Sequence, residues 1–200
     1  ADTLRTYEMF IGAFDLSASW SENGVKGCRR FLERVWKLQD ILVDGDSYRG
    51  ELETKMHQMI KKVSSDYESL KYNTAIAAMM SMLNEFSKMG SINRAEFQTF
   101  LTLLNPVAPH ITEELWEACG YEGRVYQMSW PEYDEAKTVE NTIEIGVQVN
   151  GKLRATVALP VDVDKDTAIA AGKEALGDKL TGNIVKEIYV PGRIINIVAK

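Results

Sequence analysis

The sequence predicts a mainly α-helical bundle followed by a small α+β domain of β-β-α-β-β order. From Ala1 to about Gly120, apolar residues recur at intervals of three and four, the period of one helix face. From residue 142 onward, apolar and polar residues alternate, as they do in half-buried strands. With 45% hydrophobic and 26% charged residues, the composition is that of a globular protein and excludes a disordered or low-complexity chain.

About five helices are expected in the bundle. Turn and cap residues interrupt the helical pattern in five places, at 12–27, 43–46, 72–73, 89–91 and 105–106. Asn73, Ser91 and Asn93 suit N-caps, and Gly90 and Gly120 suit the left-handed position after a helix end. Long amphipathic helices with short connections form an antiparallel bundle.

A polar, helix-poor stretch at 132–141 predicts a linker to the terminal domain at 142–200. Asn150-Gly151 between two alternating runs predicts a hairpin with a type I′ turn, because both residues tolerate positive φ. An Ala-rich helix follows from about Asp164 to Leu176, and Pro191-Gly192 predicts the turn of a second hairpin. A single helix covers one face of such a sheet, which leaves the other face to solvent or a partner.

The net charge of −6 argues against a protein that coats nucleic acid generally. Residues 136–200 carry nine Lys or Arg and eight Asp or Glu, so the acidity lies before residue 136. One local exception is a basic row formed by Lys26, Arg30, Arg34 and Lys37, whose spacing of 4, 4 and 3 places them on one helix face. A solvated face is the ordinary explanation of the row, and contact with phosphates is the alternative.

Neither a membrane span nor a disulfide framework is expected. Cys28 and Cys119 are too few for a disulfide scaffold, which favours a reducing, cytoplasmic location. Uninterrupted apolar stretches fall far short of the roughly 20 residues that cross a bilayer. The start at Ala1-Asp2, already inside a helical pattern and without methionine, suggests a piece of a longer protein.

Two apparent metal sites fail on their residues. A run beginning at Asp162 imitates a calcium loop, but Thr167 stands where glycine is required and Lys173 where a glutamate ligand is required. His110 and Glu113 have metal-ligand spacing, yet the same residues suit an ordinary helix start after Pro109. The sequence therefore predicts no metal and no catalytic residue.

Two other function classes stay open on the residues alone. Five methionines at helical spacing could form a face for a partner helix, although a core position is the ordinary explanation: Met56, Met59, Met79, Met80 and Met82. A hydrolase that uses a cysteine with His57 or His110 is the remaining alternative.

Five stretches resemble bacterial-type leucyl-tRNA synthetases, which are class Ia aminoacyl-tRNA synthetases. The opening Ala1–Arg5 with Tyr7, Met9 and Phe10 resembles the helix after the family's KMSKS loop, and Trp20-Ser21, Gly24-Val25, Gly27 and Arg30–Trp36 resemble its W-S-x-x-G-V-x-G-x-x-R-F-L-x-R-V-W motif. Phe97–Trp116, with Leu104, Pro106 and Pro109–Trp116, is similar to the bundle of the leucine, valine and isoleucine enzymes alike. Residues 147–154 and 190–198 resemble the small C-terminal domain of the leucine enzyme, and the two-hairpin end disfavours a valine or isoleucine enzyme. Ala13 departs from the proline common in the family.

The resemblance implies a class Ia anticodon-binding bundle at 24–131, with 1–23 as the remnant of a connection to a missing catalytic domain. It implies leucylation of tRNA with ATP and Mg²⁺ by the parent enzyme, no cofactor in this part, and a monomer. Its expected partners are tRNA(Leu) and the catalytic and editing domains of the same chain, with no membrane. The resemblance turns the basic row into a predicted tRNA contact, and the predicted tRNA-binding residues are Arg30, Arg34, Lys37, Lys152, Arg154, Lys186 and Arg193.

The orientation of three side chains within these motifs is also predicted. Lys152 and Arg154 are expected to face away from Leu153 and Ala155. Trp36 lies in the apolar pattern of its helix, which predicts a core position rather than a base-stacking surface.

Overall fold

The computed structural model describes residues 1–139, 142–180 and 182–199. Contacts divide the chain into two compact units, Ala1–Val139 and Glu140–Lys200, each with its own hydrophobic core. The predicted combination of a helical bundle and a small α+β domain is confirmed. The boundary between the units falls inside the stretch that was predicted as a linker.

Residues 1–139 form six α-helices, against the five or so predicted. They are α1 (Asp2–Phe10), α2 (Glu22–Trp36), α3 (Gly50–Glu68), α4 (Tyr72–Met89), α5 (Arg94–Leu104) and α6 (Pro109–Ala118). Short 3₁₀ helices cover Lys37–Ile41, Val125–Gln127 and Glu135–Thr138. Two-residue strands β1 (Leu42–Val43) and β2 (Ile92–Asn93) pair in parallel, which the sequence did not predict.

The core of this unit is built from the apolar stripes of the helices. Phe86 of α4 and Phe100 of α5 are fully buried and meet edge to face with ring centroids 5.7 Å apart. Trp116 of α6 is 2% exposed, and its indole Nε1 donates to the carbonyl oxygen of Glu122 at 3.0 Å. The large indole is thus buried with its polar atom satisfied.

Helix α2 begins earlier than the sequence predicted. Ser21 is its N-cap, and the Ser21 Oγ accepts a hydrogen bond from the Gly24 amide at 3.1 Å. Gly24 and Gly27, which were placed in a break, therefore lie inside the helix. A Cβ at Gly24 would lie 2.7 Å from Cε2 of Tyr7, so Gly24 allows α1 and α2 to approach closely.

The predicted helix caps are partly confirmed. Asn93 caps α5 in a reciprocal capping box with Glu96, and Gly90 ends α4 with φ of 66°. Asn73 is not a cap, because α4 begins one residue before it. Ser91 is not a cap either, because its hydroxyl accepts a hydrogen bond from Arg49.

Residues 132–139, within the predicted linker, are attached to α3. The Asp134 amide donates to His57 Nδ1 at 3.1 Å, and the Gln58 side chain donates to the Thr138 carbonyl oxygen at 2.9 Å. Burial, and secondarily the charge of Lys137, lowers the pKa of His57, which keeps the imidazole neutral and able to accept this bond.

In its described residues, the second unit is a four-stranded sheet with one α-helix and a short 3₁₀ helix, Gly177–Lys179. Its elements are β3 (Thr142–Val149), β4 (Lys152–Pro160), α7 (Lys165–Leu176), β5 (Ile184–Val190) and β6 (Ile194–Ala199), and the strand order is β4-β3-β6-β5. Strands β3 and β6 are parallel, and the two hairpins are antiparallel. Ile145, Val147, Ile195 and Ile197 are fully buried in the core beneath α7. Asn150 and Gly151 have φ of 51° and 79°, as a type I′ turn requires.

Candidate nucleic-acid interface

The basic row lies on the solvent side of α2. Lys26, Arg30, Arg34 and Lys37 are all exposed. At 100° per residue they lie roughly opposite the buried residues of the same helix, which are Cys28, Phe31, Leu32 and Val35. The amphipathic pattern that packs α2 into the bundle thus directs the row outward.

Arg34 is held in place by α4. Its Nη2 donates to Asn84 Oδ1 at 2.8 Å and to Ser87 Oγ at 3.1 Å. The Ser87 hydroxyl donates its own hydrogen to the Leu83 carbonyl oxygen at 2.8 Å, so its oxygen is free to accept from Arg34. Both acceptors are neutral, so they orient the guanidinium without cancelling its charge.

Arg29, which lies beside this row, has the opposite environment. Its Nε donates to Glu33 Oε1 at 2.8 Å across one helical turn, and both side chains are more than half exposed. This carboxylate compensates the charge of Arg29 locally. Two arginines of one helix therefore differ in the charge that they offer to a ligand.

All of the predicted tRNA-binding residues are exposed, and they take no part in the ion pairs among the described residues. In the parts of the chain that the structure describes, carboxylates pair with Arg29, Arg49, Lys55, Lys61, Lys62, Arg124, Lys137 and Lys173. Arg30, Arg34, Lys37, Lys152, Arg154, Lys186 and Arg193 are absent from those pairs and exposed to solvent. Their charges are therefore available to an anionic partner.

Trp36 is not a core residue, contrary to the prediction. It is 41% exposed and lines a groove of about 770 Å³ together with Leu32, Lys37, His110 and Ile111. Trp36 lies about 100° around the helix from the fully buried Val35, so the indole is at the flank of the buried stripe of α2.

At the edge of the same groove, Asp2 caps α6 from a distant part of the chain. Its Oδ2 accepts from the Ile111 amide at 2.7 Å, and its Oδ1 contacts His110 Nδ1 at 2.6 Å. The N-cap residue of α6, Ala108, has no side chain to do this. The spacing of His110 and Glu113 that resembled a metal site therefore has a structural explanation. His110 contacts the capping residue Asp2, and the Glu113 carboxylate accepts hydrogen bonds from the amides of Val125 and Tyr126.

A β-bulge changes the register of the first hairpin of the second unit. Val147 pairs with Ala155 and Gln148 pairs with Leu153, so Arg154 has no partner on β3. The carbonyl oxygen of Arg154 instead accepts a hydrogen bond from Lys179 Nζ at 3.1 Å.

Because of the bulge, the predicted orientation of the side chains on β4 is wrong. Leu153 is 63% exposed and lies against Gly146 on the open face of the sheet, whereas Ala155 lies on the side covered by α7. Leu153 and Ala155 are therefore on opposite faces, and Lys152 and Arg154 cannot both face away from the two. Lys152 pairs with Val149 and shares its side of the sheet.

The register brings three of the four predicted bases in this unit to one end of the sheet. Lys152 pairs with Val149 on one edge strand, and Lys186 pairs with Val198 near the same end on the other edge. Three strand spacings, roughly 14 Å, separate these two positions. Arg193 lies just before the start of β6, at the opposite end of the sheet. Along the strand direction it is about four residues, or roughly 13 Å, from the level of Lys152.

Two exposed lysines extend these surfaces and were not among the predicted residues. Lys88 is one turn beyond Asn84 on α4, on the helix face that contacts Arg34. Lys179 lies at the bulge beside Arg154. Neither is close in sequence to the predicted bases, so only the packing of separate elements identifies them.

The alternative function classes lose their structural support. Met56, Met59, Met79 and Met82 are at most 4% exposed, so they form core rather than an open methionine face. Burial raises the pKa values of the Cys28 and Cys119 thiols, which disfavours the thiolate that a cysteine nucleophile needs.

The described residues also contain no group of three or more His, Cys, Asp or Glu side chains arranged to hold a metal ion. In the same residues, no helix is long and apolar enough to cross a membrane.

Comparison with known proteins shows the family to which the chain is related. Residues 50–169 match the family described as the anticodon-binding domain of tRNA ligase. The chain is 55% identical over 203 aligned residues to a leucine–tRNA ligase of Alkaliphilus oremlandii, covering all of this chain and 25% of that protein. The fold matches the LeuRS in the crystal structure of the Agrobacterium radiobacter K84 agnB2 LeuRS-tRNA-LeuAMS ternary complex, with a TM-score of 0.63 and 29% identity over 98% of this chain and 28% of that one.

The chain spans about a quarter of the length of these two relatives. The family match covers more than half of the 200 residues and lies on the helical unit and the start of the second unit. We conclude that this protein belongs to the anticodon-binding domain family of tRNA ligases and is homologous to a part of leucine–tRNA ligases.

Proposed function

We propose that this chain is the tRNA-holding region of a leucine–tRNA ligase, and that it docks a leucine tRNA along its stem and elbow. The observation that carries the proposal is the set of exposed basic residues, on both units, that take no part in the ion pairs of the described residues. Arg30, Arg34 and Lys37 supply the contacts of the helical unit, and Lys152, Arg154, Lys186 and Arg193 those of the second unit. Leucylation itself belongs to a catalytic domain outside this chain.

The proposal assigns ATP and Mg²⁺ to the rest of the ligase. The partners of this region are then the tRNA and the catalytic and editing domains of the same polypeptide. A cytoplasmic, monomeric ligase completes the proposal.

Recognition by this region is proposed to follow the shape of the tRNA. Contacts to phosphates position a protein but carry no base sequence. Folded RNA presents its phosphates in a fixed spatial pattern, so a line of cations on one helix and a second cluster on the sheet can fit one shape better than another. A valine or isoleucine enzyme is the alternative, and the 55% identity to a leucine–tRNA ligase favours leucine.

The test is fluorescence anisotropy of a labelled tRNA(Leu) transcript titrated with the 200-residue chain at several salt concentrations. The Arg30→Ala/Arg34→Ala variant is expected to bind about 100-fold more weakly at low salt, about tenfold for each charged contact. The slope of log affinity against log salt should fall by about 1.4–1.8, because two phosphate contacts fewer release their counterions. The matched control Lys71→Ala/Arg124→Ala removes two exposed charges elsewhere and should bind almost normally.

The second unit is tested by the same titration. Lys152→Ala/Lys186→Ala removes two bases from one end of its sheet and should also lower both affinity and salt slope. Absence of salt-dependent binding by the unmodified chain would contradict the proposed function as a whole. Equal losses in the α2 variant and in its control would contradict the assignment of the α2 surface.

A further inference from the structure

We infer that Asn84 and Ser87 are positioning residues that hold Arg34 as an uncompensated, pre-oriented ligand for an RNA phosphate. The inference rests on the proposed function and adds two α4 residues that neither the sequence patterns nor the comparisons single out. It assigns a role to the neutral chemistry of the two side chains and not merely to their position.

Two hydrogen bonds to α4 orient the Arg34 side chain before RNA binds. An exposed arginine side chain samples many rotamers, and ordering it on binding costs conformational entropy. The two hydrogen bonds from Arg34 Nη2, to Asn84 Oδ1 and Ser87 Oγ, fix the end of the side chain before any ligand arrives. Both bonds use the same nitrogen, Nη2, so the Nε–H group and the two N–H groups of Nη1 remain to donate to a phosphate.

The two acceptors of Arg34 are neutral oxygens, and this keeps the positive charge of the guanidinium available. A carboxylate would hold the guanidinium equally well, as Glu33 holds Arg29 on the same helix. That carboxylate would also repel a phosphate and cancel the cation locally. Amide and hydroxyl oxygens provide the acceptors without adding a negative charge, so orientation and charge are both kept at Arg34.

Other exposed basic residues surround Arg34 on α2 and α4. Arg30 lies one turn before Arg34 and Lys37 nearly one turn after it, and Lys88 lies one turn after Asn84. Like charges this close would separate if nothing held them. Anchoring Arg34 to α4 keeps one cation at the junction of the two helices, where the row of α2 continues onto α4.

The test compares Asn84→Ala, Asn84→Asp and Ser87→Ala in the tRNA(Leu) anisotropy titration. Asn84→Ala and Ser87→Ala should each weaken binding by about fivefold with an unchanged salt slope, because orientation is lost and charge is not. Asn84→Asp should weaken binding by about tenfold or more and lower the salt slope by about one, because Arg34 becomes paired. Its thermal unfolding midpoint should stay the same or rise, since a new surface ion pair forms.

Matched controls separate positioning from folding. Ser81→Ala removes another α4 hydroxyl that bonds back to its own helix, at the Ala77 carbonyl oxygen, and should bind normally. In an Arg34→Ala background, Asn84→Ala and Ser87→Ala should lose their effect, and that of Asn84→Asp should shrink, because the residues act through Arg34.

The outcomes distinguish this inference from the proposed function. No salt-dependent binding by the unmodified chain would overturn both. Normal binding by the unmodified chain together with wild-type affinity and salt slope in Asn84→Asp would overturn the inference alone. Full persistence of the Asn84→Asp effect in the Arg34→Ala background would also overturn it, since Asn84 would then act independently of the arginine.

Discussion

Replacing Glu96 with alanine is expected to destabilise the helical unit more than any surface charge change. Glu96 is fully buried in the first turn of α5, and its carboxylate accepts hydrogen bonds from Arg49 Nη2 at 2.6 Å, Arg49 Nε at 2.9 Å and the Arg49 amide at 3.0 Å. The Asn93 amide also donates to it, at 3.0 Å. The same carboxylate thus pairs with a guanidinium, closes a capping box and ties the start of α3 to the start of α5.

The expected loss is about 3 kcal/mol of unfolding free energy. Removing one partner of a buried ion pair costs about 3–5 kcal/mol, because the other charge stays behind without compensation. The Arg49 side chain is 22% exposed, so water can solvate part of its guanidinium and the lower end of this range applies. Glu33→Ala is the matched control, because it removes a glutamate from the exposed pair with Arg29 and should cost about 0.3–0.5 kcal/mol.

Urea unfolding followed by tryptophan fluorescence measures this loss of unfolding free energy in the helical unit, residues 1–139. The four tryptophans of the chain, Trp20, Trp36, Trp116 and Trp130, all lie in the first unit, so the signal is not mixed with unfolding of the second. A Glu96→Ala loss within 1 kcal/mol of the Glu33→Ala loss would refute the reasoning. It would mean that water or repacking satisfies the buried guanidinium.

The same pair makes stability depend on pH. Burial by itself would raise the pKa of Glu96, but the hydrogen bonds from Arg49 and from two backbone amides outweigh burial and lower it. The unfolded state therefore takes up the proton first as the pH falls. The contribution of Glu96 is complete above its ordinary pKa of 4.5 and is lost as the pH falls through the lowered value, so Glu96→Ala should show a weaker pH dependence below pH 4.5.

Two further predictions concern the packing of α2 and the attachment of residues 132–139. Gly24→Ala should destabilise the first unit by about 1–3 kcal/mol because its Cβ would lie 2.7 Å from Cε2 of Tyr7, whereas Gly27→Ala on the same helix meets nothing within 4 Å and should stabilise it by about 0.5–1 kcal/mol. Equal signs for the two in urea unfolding would contradict the close approach of α1 and α2 at Gly24. Burial lowers the pKa of His57, so the stability linked to its neutral form, which accepts from the Asp134 amide, is complete above pH 6.5 and is lost as the pH falls through the lowered pKa. Unfolding measured at pH 7.5 and 5.5 should show a smaller pH effect in His57→Gln, and an unchanged effect would count against this role.

The parts of the fold that were predicted correctly are decided by residues close together in the sequence. Asn150 and Gly151 are adjacent, and their tolerance of positive φ is enough to place the hairpin turn. Asn93 and Glu96 are three residues apart, so the N-cap could be located before any tertiary contact was known. At these positions local chemistry was sufficient.

The features that were missed depend on contacts that no local sequence pattern shows. Asp2 caps α6 at Ile111, and no local pattern links a residue at the start of the chain with the start of that helix. Trp36 has the spacing of a core residue, yet it lies at the flank of α2, about 100° around the helix from the buried Val35. The bulge at Arg154 shifts a strand by one residue, and a shift of one residue moves Leu153 to the other face.

The predicted binding residues show the same division. The spacing of Arg30, Arg34 and Lys37 along one helix could be read directly, because it follows from 3.6 residues per turn. Their electrostatic environment could not, because the acceptors for Arg34 come from α4, 50 residues or more away along the chain. A basic row in a sequence therefore indicates where cations lie, and the fold decides which of them remain available.

This distinction explains how a chain with a net charge of −6 can be proposed to bind RNA. At 0.1 M salt the Debye length is about 10 Å, so a phosphate in contact with the surface responds to the nearest few charges and hardly to the whole chain. Near Arg29 the nearest charge is the carboxylate of Glu33, and near Arg34 the nearest groups are neutral oxygens and other cations. The acidic residues elsewhere then work against docking in other orientations, so the excess of acid that argues against general nucleic-acid binding favours binding along one line.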